Sequence, residues 1–476
     1  MAPGPALERA AGKSSYDLRM PPADKAMTNT EPKLSHEIDA RLVAWVRQAA
    51  PYIHAFRGKT FVIAFGGEVL QTEAAQALIH DVALLDSMGI HLVLVHGARP
   101  QIDAEMQARN LTPRFHNGLR VTDADALECV KRAMGVLRIE IEAMLSQGLP
   151  NTPLAGGFLR VTGGNFITGR PVGVVDGVDL QWTGAVRKVV GEEIQADLGQ
   201  ENVVLITPIG ASPTGEIFNL AWEEVAEAVA TELRADKLIY LCAAAGLADK
   251  KGQLLDALTV DEAETLLDKK VEQAPDVARA LPGAVRACRS GVGRVHFLDY
   301  RSDGAMLMEF FTREGVGTVL TSAPLARLRE ATHLDVGGIL ALIAPLEADG
   351  TLVRRGRERL EMEITRFSVL DLDGVIVGCA ALYPFTGAKG EPRSAELACL
   401  AVMPEYRRAG YGDQLRRHIE ARAAKMKLKR LFVLTTRTGH WFIERGFVEA
   451  AVDALPAAKR EFYNYQRRSK VLIRTL

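Results

Sequence analysis

A stretch near the C-terminus combines residue types that suit the binding of a phosphorylated ligand. The apolar run Leu397–Val402 has the length of a buried strand, and apolar residues at helical spacing follow from Asp413. Between them lies the sequence Arg407-Arg408-Ala409-Gly410-Tyr411-Gly412. Glycine lets the backbone approach a ligand closely, and the N–H groups at the start of the next helix can bind phosphate. The stretch therefore predicts a strand, a glycine turn and a helix around an anion site.

The spacing Arg-x-x-Gly-x-Gly, after a strand that ends in Val-x-Pro, resembles the acetyl-CoA pyrophosphate loop of the GNAT superfamily of N-acetyltransferases. An ordinary tight turn between a strand and a helix is the alternative interpretation. The resemblance implies that the glycine loop holds the pyrophosphate of acetyl-CoA. It also implies that the strand pairs with the pantetheine arm and offers a backbone N–H to the oxyanion. The implied acetyl-CoA-binding residues are Cys399, Leu400, Ala401, Val402, Arg407, Arg408, Ala409, Gly410, Tyr411 and Gly412.

Acetyl transfer to an amine also needs a base, because an ammonium group cannot attack a thioester. Glu396, at the entry of the same strand, matches the glutamate proposed as the base in the family; a strand-end carboxylate without a role is the alternative. The resemblance favours Ser469 as the acid that protonates the leaving thiolate, with Tyr463 and Tyr465 as rivals. Cys399 sits in an apolar strand without a neighbouring His or Lys. This favours a structural cysteine over an acyl-cysteine, and therefore direct attack by the amine.

Length and composition indicate an enzyme-like chain of more than one domain. A chain of 476 residues exceeds what one core usually supports, so two or three domains are expected. The net charge of -1 gives no reason to expect nucleic acid or a membrane as a partner. The 5 cysteines include no Cys-x-x-Cys pair, which favours the reducing cytoplasm and indicates neither a disulfide framework nor a metal site.

The larger N-terminal part alternates strands and helices. An amphipathic helix is expected over Leu34–Tyr52, and from Lys59 to about Leu320 the pattern of strand, glycine turn and helix repeats. Continuous apolar strands in such a pattern predict an α/β fold with a mostly parallel sheet that carries helices on both faces. Ligands of such sheets bind beyond the carboxyl ends of the strands.

The motifs of this part resemble the amino-acid kinase fold and, more narrowly, the kinase-like domain of the bacterial N-acetylglutamate synthases. The resemblance extends from about residue 36 to the C-terminus. The motifs that carry it are Phe65-Gly66-Gly67, Val95-His96-Gly97, Arg120-Val-Thr-Asp123, Gly164-Asn165-Phe166, Asp176-Gly-Val-Asp179 and the sequence from Ala287.

Two departures predict that this part is inactive as a kinase. Kinases of this fold carry a lysine shortly before the Gly-Gly of the first strand, and that position is Ala64 here. A stretch that in kinases includes a catalytic aspartate reads Leu241-Cys-Ala-Ala-Ala-Gly246. Phosphoryl transfer depends on positioned charges, so the remaining role would be that of a scaffold and sensor.

The resemblance implies an amino-acid N-acetyltransferase that uses L-glutamate and is inhibited by L-arginine. It also implies a homo-oligomer, with a hexamer as the expected assembly. Glutamate has two carboxylates, which favour arginine forks. The implied substrate-binding residues are Leu352, Arg355, Arg437 and Arg467, and the implied effector-binding residues are Tyr52, Ser290, Gly291 and Gly293. A loop around Gly291 that only closes the fold is the alternative for the effector site.

The expected organisation is a mobile extension over 1–33, a kinase-like domain over 34–318, a linker over 319–327 and a GNAT domain over 328–476. Three rival functions stay open at this point. They are an active amino-acid kinase fused to an acetyltransferase, an arginine sensor with a decayed acetyltransferase domain, and an acetyltransferase for another acidic amino acid.

Overall fold

The computed structural model describes residues 32–147, 159–312, 315–323, 326–372, 374–385, 392–407 and 410–476. Arg408, Ala409 and nearly all of the predicted extension over 1–33 lie outside these ranges. Within them, no helix is both long and apolar enough to cross a membrane.

The N-terminal part contains nine helices and sixteen strands among its described residues. The helices are α1 (Pro32–Phe56), α2 (Ala74–Ser87), α3 (Arg99–Ala108), α4 (Ala124–Leu145), α5 (Gly191–Leu198), α6 (Trp222–Glu232), α7 (Val260–Asp268), α8 (Pro275–Arg289) and α9 (Ala305–Phe311). The strands are β1 (Thr60–Phe65), β2 (His91–His96), β3 (Phe115–His116), β4 (Leu119–Arg120), β5 (Val161–Thr162), β6 (Ile167–Pro171), β7 (Val174–Val175), β8 (Val178–Asp179), β9 (Gly184–Val189), β10 (Val203–Ile206), β11 (Ile209–Ala211), β12 (Ile217–Asn219), β13 (Lys237–Cys242), β14 (Ala257–Thr259), β15 (Arg294–Asp299) and β16 (Thr318–Thr321).

Eight of these strands form the central sheet in the order β14-β16-β15-β13-β1-β2-β10-β5. All neighbours run parallel except β15 and β16, which are antiparallel. In β1, Val62 and Ala64 pack into the core on one face, while Phe61, Ile63 and Phe65 pack into the core on the other. A mostly parallel α/β sheet buried on both faces is therefore confirmed.

The described residues of the C-terminal part add five helices and seven strands. The helices are α10 (Val336–Ala348), α11 (Arg357–Met362), α12 (Tyr411–Lys425), α13 (Gly439–Ile443) and α14 (Ala457–Arg460). The strands are β17 (Ala326–Glu330), β18 (Phe367–Leu372), β19 (Val375–Phe385), β20 (Ser394–Val402), β21 (Arg430–Thr435), β22 (Val448–Ala450) and β23 (Lys470–Thr475). They form one sheet in the order β17-β18-β19-β20-β21-β23-β22.

The stretch 319–327, which the sequence suggested as a linker, overlaps strands of both sheets. β16 pairs with β15 of the central sheet through residues up to Thr321, and β17 pairs with β18 of the second sheet from Ala326. Among the described residues of this stretch, only Ser322 and Ala323 belong to neither sheet. The division of the chain into domains stays a prediction.

Asp81 in the N-terminal part is a buried carboxyl whose surroundings disfavour its ionised form. Asp81 of α2 is 7% exposed and lines a cavity with Leu241, Tyr300 and Ser302. Burial, with a smaller contribution from the charge of Asp303, raises the pKa of Asp81 to about 7. A carboxyl with a raised pKa weakens the folded state as the pH increases from its unfolded value of 3.8 through about 7.

We therefore expect Asp81→Asn to stabilise the protein more at pH 8 than at pH 5. Asparagine keeps the shape of the side chain but cannot ionise, so the melting temperature should rise by about 2–6 °C at pH 8 and by clearly less at pH 5. Thermal unfolding at both pH values measures the difference. The control is Glu73→Gln, which alters an exposed acid just before the same helix. An equal gain at both pH values would contradict the explanation by charge burial.

Candidate active site

Strand β20 separates from its neighbour β21 halfway along its length. Among the described residues, the two strands pair only at Ser394, Ala395 and Glu396. Beyond Glu396, β20 continues to Val402 with β19 on its other side. The edge that faces away from β19 therefore carries backbone groups that an extended ligand can pair with.

A bulge lies in this open part of β20. Ala398 pairs with Ala381 and Ala401 pairs with Cys379, so two residues of β20 oppose one residue of β19. Cys399, in the bulge, has a φ of 54°. The bulge redirects the local N–H groups, as is common beside active sites. This geometry suits the predicted contact between Cys399–Val402 and a thioester.

The glycine loop lies at the far end of the same strand. Gly410 has a φ of 76° and directly precedes α12, so the first N–H groups of a 15-residue helix are left without intrahelical acceptors. A Cβ atom at Gly412 would lie 3.4 Å from the Trp441 ring and 3.9 Å from Val402. The helix start is thus next to the open end of β20, where a pyrophosphate joined to an extended arm would lie.

Glu396 lies where β20 and β21 diverge. It is 9% exposed and is the strand neighbour of Tyr383 on β19 and of Phe432 on β21. Its Oε2 atom is 2.7 Å from the Nζ atom of Lys459, in α14. The sequence analysis did not single out Lys459, because nothing in the local pattern of α14 points to β20.

Arg355 joins this group from the loop before α11. Burial by itself would lower the pKa of the Arg355 guanidinium. The negative potential of Cys399 and Tyr383 outweighs the effect of burial, so the pKa of Arg355 is raised, and Glu396 contributes to this increase. Hydrogen bonding from the Cys379 thiol lowers the pKa of Cys399 despite its burial, and Arg355 contributes. The apolar strand suggested that no cation is close to Cys399, but the charge of Arg355 does act on it. Cys399 is nevertheless buried, with an exposed fraction of only 4%.

Two further arginines contact the loop between α10 and α11. Arg467 donates from Nη2 to the carbonyl oxygens of Gly350 and Thr351, at 3.1 and 2.5 Å, and Arg437 donates to Asp349 at 2.9 Å. The Nε of Arg467 is buried without a hydrogen-bond partner in the described ranges, so one donor is left for a ligand. Leu352 lies in the same loop, and its N–H is bonded to the carbonyl of Leu346.

The candidates for the acid lie in the C-terminal segment before β23. The hydroxyl of Tyr463 donates to the carbonyl oxygen of Ser469 at 2.6 Å. Tyr465 is 69% exposed, which makes it the least enclosed of the three. Ser469 is half-buried and directly precedes β23, whose strand neighbour is β21. The structure tests none of these roles directly, and Ser469 stays the prediction.

The glycine turn of the N-terminal sheet is occupied by an acidic side chain. The carboxylate of Glu68 lies 2.4 Å from where a Cβ atom at Gly66 would be. Ala64 is fully buried in β1, at the position where the kinases carry a lysine. A carboxylate at this turn and no cation at position 64 both disfavour a bound phosphate.

The predicted effector residues lie around the opposite ends of these strands. Tyr52 packs against the core on the α1 side, Gly293 contacts the backbone of Asp236, and Ser290 and Gly291 follow α8. Close by is a buried network that sequence patterns did not reveal. Lys237 Nζ is 3.2 Å from His296 Nε2, and His296 Nδ1 is 2.7 Å from Glu309 Oε1.

Burial and Lys237 lower the pKa of His296 to about 4. Burial opposes the charge of Glu309, but the hydrogen bond from His296 and two backbone N–H groups lower its pKa to about 2. The Lys237 ammonium also lies 4.9 Å from the centre of the Phe56 ring in α1. Over the described ranges, no three His, Cys, Asp or Glu side chains are grouped as metal ligands.

Comparison with known proteins agrees with this division into two folds. The model of the amino acid kinase family matches residues 59–299, and that of the acetyltransferase (GNAT) family matches residues 345–447. The chain is therefore a GNAT-type acyltransferase whose larger sheet has an amino-acid kinase fold, and β20 lies within the part that matches the GNAT family.

The relatives define the family more narrowly. The chain is 51% identical to the amino-acid acetyltransferase of Ralstonia nicotianae over 92% of its length and 96% of the relative, and 51% identical to that of Azotobacter vinelandii over 91% and 99%. It belongs to the family of amino-acid acetyltransferases.

A solved structure covers nearly the whole chain. It is N-acetylglutamate synthase from Neisseria gonorrhoeae complexed with coenzyme A and L-arginine, with 39% identity, a TM-score of 0.80 and coverage of 91% of this chain and 99% of that one. The same enzyme complexed with coenzyme A and N-acetyl-glutamate matches with a TM-score of 0.58.

Proposed function

We propose that this acetyltransferase moves the acetyl group of acetyl-CoA onto the α-amine of L-glutamate, the first step of arginine biosynthesis, and that L-arginine inhibits it. The observation that carries the proposal is the open edge of β20, with the glycine start of α12 at one end and Glu396 at the other. The ligands of the Neisseria enzyme, coenzyme A, N-acetyl-glutamate and L-arginine, support the choice of substrate and effector.

In the proposed reaction, the amine attacks the thioester directly. Glu396 accepts a proton from the amine, a C–N bond forms and the C–S bond breaks. Backbone N–H groups at the Cys399 bulge stabilise the oxyanion, and the Ser469 hydroxyl protonates the coenzyme A thiolate. The buried Cys399 side chain supports a direct transfer over an acyl-cysteine intermediate.

The two carboxylates of glutamate would be held by arginine side chains around the loop that carries Leu352. Arg355 and the free Nε of Arg467 are the proposed contacts, with Arg437 fixing the loop through Asp349. The start of α12, from Arg407 to Gly412, would hold the pyrophosphate. Arg408 and Ala409 belong to this proposal by sequence only.

The N-terminal part would bind arginine and lack kinase activity. Ala64 and the Glu68 carboxylate support the loss of kinase chemistry. We place the effector between Tyr52 of α1 and the strand that follows Gly293. Glu309, on the neighbouring α9, supplies a buried carboxylate that the sequence interpretation lacked.

We also propose a homo-oligomer, with a hexamer as the expected assembly, located in the cytoplasm. Along α1 the side chains of Leu42, Val43, Trp45 and Val46 are 39–58% exposed, which supports contact with another copy. All 5 cysteines are free, which suits a reducing compartment.

The experiment that tests the function measures the free thiol of coenzyme A released from acetyl-CoA. We expect turnover with L-glutamate, suppression by millimolar L-arginine, and little turnover with L-aspartate, whose shorter side chain places the second carboxylate differently. Turnover that arginine leaves unchanged would contradict the proposal that L-arginine inhibits the enzyme. Activity with aspartate but not with glutamate would contradict the proposal that L-glutamate is the substrate.

A further inference from the structure

The ion pair between Lys459 and Glu396 links the proposed base to a part of the chain without a role so far. The two atoms are 2.7 Å apart, and the side chains are 25% and 12% exposed. Both groups are thus largely removed from water, where an ion pair acts more strongly than at the surface.

The position of Lys459 is fixed by packing between α14 and the sheet. Leu455, just before α14, is 3% exposed and shares a core with Phe432 and Val471. Phe432 is the strand neighbour of Glu396. Arg430, which lies on β21 with Phe432, donates to the carbonyl oxygen of Ala454 at 3.4 Å. The segment that carries Lys459 is therefore attached to the strand that borders Glu396.

Glu396 meets charged or titratable groups from three surrounding elements. Lys459 reaches it from α14, Tyr383 is opposite it on β19, and the Arg355 guanidinium acts on it from the loop before α11. The Tyr383 hydroxyl is directed to Glu363, to which it donates at 2.6 Å. Lys459 is thus the cation in direct contact with the carboxylate.

We infer that Lys459 is a positioning residue for acetyl transfer: its ammonium group holds the Glu396 carboxylate in place so that it is directed toward the substrate amine. This inference rests on the proposed role of Glu396 as the base. The attraction between Lys459 and Glu396 weakens when the carboxylate takes up the amine proton, and the ion pair is restored when that proton leaves to solvent.

The test compares Lys459→Met, Lys459→Arg and Arg460→Met in the full-length protein. We expect Lys459→Met to lower kcat by about 10- to 100-fold, since small displacements of a catalytic group have effects of this size. The KM for glutamate and the Kd for acetyl-CoA should stay nearly the same.

The two other variants separate this role from structure and overall charge. Lys459→Arg keeps a cation at the site and should recover most of kcat. Arg460→Met removes a positive charge from the same helix, where Arg460 lies 4.0 Å from the exposed Asp453, and should act like the unmodified protein. A kcat that stays unchanged in Lys459→Met while the KM for glutamate rises would overturn the inference, because Lys459 would then bind substrate.

A double variant distinguishes failure of the inference from failure of the proposed base. If Lys459 acts through Glu396, then Lys459→Met should have no further effect on kcat in the Glu396→Gln background. A full additional loss in that background would overturn the positioning role. Near-normal turnover of the Glu396→Gln variant would instead contradict the proposal that Glu396 is the base, whatever the lysine variants show.

Discussion

Replacement of Glu396 by glutamine is expected to lower kcat by about 10²–10⁴ and to leave acetyl-CoA binding nearly unchanged. Glutamine has almost the same shape and can still accept a hydrogen bond from Lys459, so the local packing should persist. It cannot take a proton from the substrate amine at neutral pH. The proposed acetyl-CoA contacts at the start of α12 lie at the other end of β20, which explains the expected separation of the two effects.

Steady-state release of coenzyme A thiol and calorimetric titration of acetyl-CoA measure these two quantities. Glu449→Gln is the matched control, since Glu449 also pairs with a lysine, at 3.2 Å, but on an exposed strand away from the open edge. It should turn over normally. A Glu396→Gln enzyme with near-normal kcat would leave the site without its base, and a large loss of acetyl-CoA affinity would indicate general damage.

The local parts of the site were predictable because a continuous sequence contains them. Leu397–Val402, Gly410 and the helix from Tyr411 form a strand, turn and helix as their periodicity indicates. The position of Glu396 at the strand entry followed from the same stretch. The divergence of β20 and β21 after Glu396 could not be predicted from this stretch alone, because it depends on pairing between segments that are far apart in the sequence.

Tertiary contacts decided the features that the sequence did not reveal. Lys459 reaches Glu396 only because Leu455 packs beside Phe432. The helix expected to end near Pro51 continues to Phe56. A proline inside a helix removes one backbone hydrogen bond. Here Phe56, packed against Phe61 and Phe311, supplies apolar contacts that outweigh this loss.

Replacement of Arg355 by methionine is expected to lower kcat/KM for glutamate by about 10²–10³ through a higher KM. Loss of one partner from a buried charged contact costs about 2–5 kcal/mol, or about 30- to 5,000-fold, and the expected loss lies within these limits. Methionine fills a similar volume, so the packing of the loop should be retained, and the backbone N–H at this position can still donate to Glu347. Arg355→Lys should recover only part of the loss, because lysine lacks the planar fork that matches a carboxylate.

Kinetics with varied glutamate, together with the Kd for acetyl-CoA, test this expectation. Arg357→Met is the control, because Arg357 is 69% exposed and pairs with Glu361 on the surface of α11. If Arg355→Met raised the KM for glutamate and the Kd for acetyl-CoA alike, the arginine would support the whole cleft. If it changed neither, the glutamate carboxylates would have to be bound by Arg467 and its neighbours. An effect on glutamate alone would place the substrate between Arg355 and Glu396, which brings its amine to the base and to the open edge of β20.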